Sequence, residues 1–86
     1  MGKWVVSGWD GTKKILNDEM PGNLSEKEIS RLLQRLVSRD LTPKEICRAS
    51  CRRNHRIYAP HLAIRIDTNG SVNVGVNPYY SAKWQA

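Results

Sequence analysis

A helix start occurs twice in this chain, seventeen residues apart, and it constrains the fold more than any other feature. Ser25 and Glu28 have the spacing of a capping box: the serine hydroxyl accepts from the Glu28 amide and the carboxylate accepts from the Ser25 amide. Leu24 and Ile29 stand where a hydrophobic staple would close the entry. Ile29, Leu32, Leu33, Leu36 and Val37 then follow the i, i+3, i+4, i+7, i+8 pattern of one buried stripe, in which Leu32 and Leu36 read as central. Leu41, Thr42, Glu45 and Ile46 repeat staple and box, with Pro43 at the first helical position, where a missing N–H costs nothing. The second helix has a poorer apolar face, built from Ile46, Ala49, Ser50 and Ile57. Asn54 is one stop for it, but periodic basic residues run on to Arg56 before Pro60 forbids continuation.

Strand patterns flank the helices. Trp4 to Trp9 and Thr12 to Leu16 are β-prone runs around Asp10-Gly11, a pair suited to a two-residue hairpin turn. That turn would face Val6 toward Ile15, with Trp4 on the same side and Val5, Trp9 and Leu16 on the other. Asn17 to Asn23, containing Pro21-Gly22, reads as a loop. Further on, Leu62, Ile64 and Ile66 alternate with polar or small residues, and Val72, Val74 and Val76 alternate with Asn73, Gly75 and Asn77. A three-residue loop, Thr68-Asn69-Gly70, pairs Ile66 with Val72, Ile64 with Val74 and Leu62 with Val76, so both apolar rows share one face. Asp67 then opens a type I turn and Gly70 takes the left-handed position of a bulge. The tail from Pro78, carrying Tyr79, Tyr80 and Trp84, is expected to dock on the body. The fold class expected is α+β, ββααββ, with two helices over one face of a four-stranded antiparallel sheet.

Eighty-six residues leave room for a single small basic domain, 1–86. With 40% hydrophobic and 26% charged residues and no apolar run near membrane-spanning length, the chain is neither disordered nor membrane-spanning by composition, and no membrane partner is expected. Cys47 and Cys51, four apart on an expected helix, are poorly placed for a disulfide. The start of the chain lacks an apolar signal core, and Val6 stands where a myristoylation motif needs Ser or Thr. A cytoplasmic location is the default expectation.

The net charge is +6, and residues 41–60 carry five Lys/Arg against one Glu. Such clustering concentrates positive potential on one surface, which favours polyanions. Lys27, Arg31, Arg35 and Arg39 form one row of spacing four, and Lys44, Arg48, Arg52 and Arg56 another, with Arg53 beside it. On a continuous helix such a row is nearly straight, and the first points away from the apolar stripe. Solvated basic faces are common, so the rows are weighed against that plain reading. The second is the better phosphate-binding candidate, because Glu45 is its only acidic neighbour.

Other motifs are weaker. Leu41-Thr42-Pro43-Lys44-Glu45-Ile46 resembles the opening helix of a helix-turn-helix, but Cys51 stands where a turn glycine belongs and Arg52 where an apolar residue should follow. Cys47, Cys51, His55 and His61 could formally be a zinc set, yet ligands along one continuous helix cannot close a tetrahedron. Buried thiols and two surface histidines are expected instead, with no metal and no cofactor. No orienting group or oxyanion loop accompanies the Cys/His pair, so no enzyme is expected.

Two functions remain in play. The first is a small non-catalytic module engaging nucleic acid, with little sequence specificity, through Lys44, Arg48, Arg52, Arg53 and Arg56 and secondarily Arg31 and Arg35. The alternative is a protein-interaction module, a homodimer or a subunit of a larger assembly, using the sheet face or the aromatic tail at Tyr79, Tyr80 and Trp84. An acidic protein partner would meet the same cations. Most aromatics are expected to be core anchors, with one or two free to form a stacking platform for bases or a partner hot spot.

Overall fold

The computed structural model describes residues 2–76 and 78–86; Met1 and Asn77, the latter part of the expected second-hairpin alternation, lie outside the described residues. The order is β1 (Lys3–Asp10), β2 (Lys13–Pro21), α1 (Glu26–Ser38), α2 (Pro43–Ala49), β3 (Ile64–Ile66), β4 (Val72–Gly75) and β5 (Tyr79–Gln85). The chain is α+β, but the sheet has five strands, ordered β2-β1-β5-β4-β3, all neighbours antiparallel. The four-stranded ββααββ expectation is corrected at the tail. Residues 79–85 form the central strand, pairing Val6 of β1 with Ala82 on one side and Val72 of β4 with Ala82 on the other. Tyr80 and Ala82 are buried there, and Tyr79, Ser81 and Lys83 point the other way.

The first hairpin is shifted and lengthened relative to expectation. Asp10 pairs with Lys13, so the two-residue turn is Gly11-Thr12. Gly11 has φ +62° and no described non-glycine residue has positive φ, which matches a turn with a left-handed first position only. Asn17 to Pro21, expected as loop, continue β2, because β1 offers a full ladder of backbone partners that outweighs the weak strand preference of Asn17, Asp18 and Glu19. Ile15 is skipped where the register shifts between Gly8 and Trp9, and Leu16 therefore turns toward the core rather than joining Trp9. The second hairpin has the expected loop. Ile66 pairs with Val72 and Ile64 with Val74, the Asp67 amide donates to the Ser71 carbonyl at 2.9 Å, and Gly70 sits at φ +85°. The ladder stops before the expected Leu62–Val76 pair.

α1 closes the core. Its capping box forms as expected, with Glu28 N to Ser25 Oγ at 3.1 Å and Ser25 N to Glu28 Oε1 at 3.0 Å. Ile29, Leu33 and Val37 are the apolar residues it buries against Trp4, Val6, Val72, Val74, Tyr80 and Ala82, with Ser30 buried beside them. Leu32 and Leu36 flank that line half-buried rather than forming its centre. Two tryptophans brace the approach to α1: Trp4 Nε1 donates to the Leu24 carbonyl at 2.9 Å and Trp84 Nε1 to the Gly22 carbonyl at 3.2 Å.

α2 departs from the expectation that both helices lie over the sheet. Its capping box is complete, Thr42 N to Glu45 Oε1 at 2.9 Å and Glu45 N to Thr42 Oγ1 at 3.2 Å, yet it buries no residue and ends at Ala49 with Ser50 as cap. Ile46 and Ala49 cannot supply the apolar stripe that would hold a longer helix down.

Candidate nucleic-acid interface

Because α2 ends at Ala49, the second basic row is not a helical face. Lys44 and Arg48 lie on the helix, Arg48 in the last turn where a cation complements the negative helix end. Beyond it the chain makes successive turns, with Cys51 N to Arg48 O at 3.3 Å, His55 N to Arg52 O at 2.9 Å and Tyr58 N to His55 O at 3.0 Å. Ala59 then returns its N–H to the Arg48 carbonyl at 3.3 Å, which closes residues 48–59 into a loop and holds Arg52, Arg53 and Arg56 within it. The five cations Lys44, Arg48, Arg52, Arg53 and Arg56 are all exposed. Among the described residues the ion pairs are Lys3–Glu19 and His61–Glu45, so none of the five is neutralised by a neighbour. The one acidic residue of the segment, Glu45, is occupied by its capping hydrogen bonds, which hold its carboxyl below the usual range, with a smaller contribution from His61.

Lys27, Arg31 and Arg35 do share the exposed face of α1, and Arg39 follows, exposed, as its C-cap. Arg31 is partly offset by Glu28, whose carboxyl is lowered first by the Ser25 amide and hydroxyl and then by the Arg31 charge. The aromatic tail divides. Tyr80 is buried, 1% exposed, and cannot anchor a partner; burial and then the nearby Asp40 charge push its hydroxyl up. Trp84 is 47% exposed at the strand end. Tyr79 faces the side of the sheet opposite the helices.

The zinc and helix-turn-helix geometries do not form. Cys47 is exposed and Cys51 half-exposed, which corrects the expectation of buried thiols; no group of three His, Cys, Asp or Glu side chains gathers among the described residues. α2 is followed by turns and β3, so no recognition helix succeeds it.

Sequence pattern did not single out the open side of the sheet. Direct pairing puts Trp9 of β1 beside Tyr79 of β5, and Lys14 of β2 beside Trp9 with its ammonium 5.5 Å from the ring centroid. The next row across the strands is Asn17, Ser7, Ser81, Asn73 and Arg65. Beside Val5 stands Lys83, and Arg65 donates to the Gly75 carbonyl. Residues of this face line a shallow depression of about 380 Å³. Its signal lay in the alternation Tyr79-Ser81-Lys83 against Tyr80-Ala82-Trp84, which marks a strand with one polar face.

No known family matches this chain, and neither the curated proteins nor the solved structures give a significant match. No described helix is long and apolar enough to cross a membrane.

Proposed function

We propose that the protein is a non-catalytic nucleic-acid-binding module that grips phosphates with little sequence specificity through the basic segment Lys44 to Arg56, on α2 and the loop after it. The observation that carries this reading is the closure of the loop 48–59 by Ala59 onto Arg48, which concentrates exposed cations that have no acidic partner among the described residues. Flexible basic side chains on turns suit phosphate binding, while base readout would need a rigid element seated in a groove.

The test is a titration with duplex DNA, duplex RNA and single strands at roughly 50 and 200 mM salt. Arg48→Glu with Arg52→Glu should weaken binding strongly while lowering the melting temperature only slightly, since both positions are exposed and the stability loss is confined to the Arg48 charge at the end of α2. For every phosphate that the variant no longer neutralises, the plot of log affinity against log salt should flatten by about 0.9 on duplex DNA. Absence of wild-type binding at the lower salt would overturn the proposal.

A second reading, a protein-interaction module pairing with another copy or a larger assembly, is favoured by one feature. β3 is an edge strand whose Ile64 and Ile66 are 40% and 54% exposed on the helix side. Concentration-dependent sedimentation would support it if self-association disappeared on Ile66→Lys.

A further inference from the structure

We infer that the open face of the sheet is a second site, a platform that takes single-stranded nucleic acid by stacking unpaired bases on Trp9 and Tyr79. The class of ligand rests on the reading above, but the surface is a different one, on the side of the sheet away from α1.

Three features of this face select the occupant. Trp9 and Tyr79 are directly opposed across β1 and β5 in the interior of the sheet, so their backbones are held by ladders on both sides. Both residues are half-buried on this face, and stacking of unpaired bases on such side chains is tolerant of base identity. The surrounding charge is positive on balance. Glu19 is paired with Lys3 at 2.6 Å, so Lys14 beside Trp9, Lys83 two pairs along beside Val5, and Arg65 outnumber Asp67, which keeps its charge while accepting from the neutral Asn73 amide at 3.1 Å. The Lys14 ammonium, over the Trp9 ring, gives way when a base stacks there and is then within reach of that nucleotide's phosphate.

The third feature is the polar row. Ser7 and Ser81 face each other beside the rings, and their hydroxyls make no hydrogen bond to another described residue, so they are available to base edges. A protein partner or second copy docking here would need apolar area, and among the described residues lining the depressions of this face the aliphatic side chains are Val5 and Val76 alone. A duplex keeps its bases stacked inside and has no ring to offer Trp9.

The test titrates the full chain with an oligothymidylate single strand and with a duplex of equal length at roughly 50 mM salt, following affinity and tryptophan fluorescence. Stacking should quench fluorescence with the single strand. Trp9→Leu should remove most of that quench and weaken single-strand binding about tenfold, leaving duplex binding unchanged. Lys83→Glu, an exposed change that leaves folding intact, should weaken single-strand binding several-fold. If single-strand binding ignores Trp9→Leu and Lys83→Glu but falls with the Arg48→Glu, Arg52→Glu pair, the platform is wrong and the basic loop stands. If it falls with the first two and ignores the pair, the platform stands, and the loop reading is wrong if duplex binding ignores the pair as well. Absence of binding to either nucleic acid overturns both.

Discussion

Leu33 and Gly8 show two ways in which one residue sets the packing of this core. Leu33 is fully buried between Ile29 and Val37 against the sheet, and a domain this small has little slack to collapse around a void. Leu33→Ala should therefore cost about 2 to 5 kcal/mol in denaturant unfolding, more than Leu32→Ala or Leu36→Ala at the half-buried flanks. The reverse ordering would mean that the helix is rotated from the position described. Gly8 is constrained by its neighbour rather than by its own backbone: it pairs with Tyr80, and a Cβ there would lie 2.6 Å from a carbon of that ring. Since Tyr80 is buried among the core residues, the ring has nowhere to retreat. Gly8→Ala should lower stability by about 1 to 3 kcal/mol, measured by the same unfolding curves, although it adds only one methyl group. Helical spacing marks Leu33 for burial, but Gly8 carries no such mark, because its close neighbour lies seventy-two positions away.

Elements with local determinants are legible in advance. Both capping boxes form because each is closed within four residues, and no tertiary interaction is needed to satisfy those amides. Ser25→Ala should cost about 1 kcal/mol, read as a lower thermal midpoint. The boxes also set an acid dependence. Glu28 and Glu45 have folded pKa values below their unfolded ones, so their contribution is present above the unfolded value near about 4.3 and is lost as pH falls through the lower folded value. The melting temperatures of wild type and Glu28→Gln should therefore converge as pH drops below about 4, and a constant gap would show that the carboxylate charge contributes nothing. Where an element depends on distant partners, local pattern falls short: β2 runs on past Leu16, and α2 stops at Ala49 despite the basic period beyond it. The four-residue spacing of the arginines survives in the sequence but not in space. Periodicity predicts a face only if the helix persists, and α2 has no buried stripe to sustain it.

Across the whole molecule the last strand decides the architecture. β5 lies between β1 and β4, so a chain ending at Pro78 should lose both ladders and the buried Tyr80 and Ala82 together. Such a truncation should show no cooperative melting transition by circular dichroism; a folded body with a slightly lowered midpoint would instead fit a tail that merely docks on the surface. The α+β class, the two capped helices, the 68–70 loop and the surplus of cations between 41 and 60 followed from the sequence alone, because turn chemistry, helical period and charge are properties of neighbours along the chain. The fifth strand's central place, the closure of the basic loop through Ala59 and Arg48, and the meeting of Trp9 with Tyr79 were decided only by the tertiary structure. Each depends on pairing between segments whose choice of partner is made by the common burial of the core, and no local pattern records that choice.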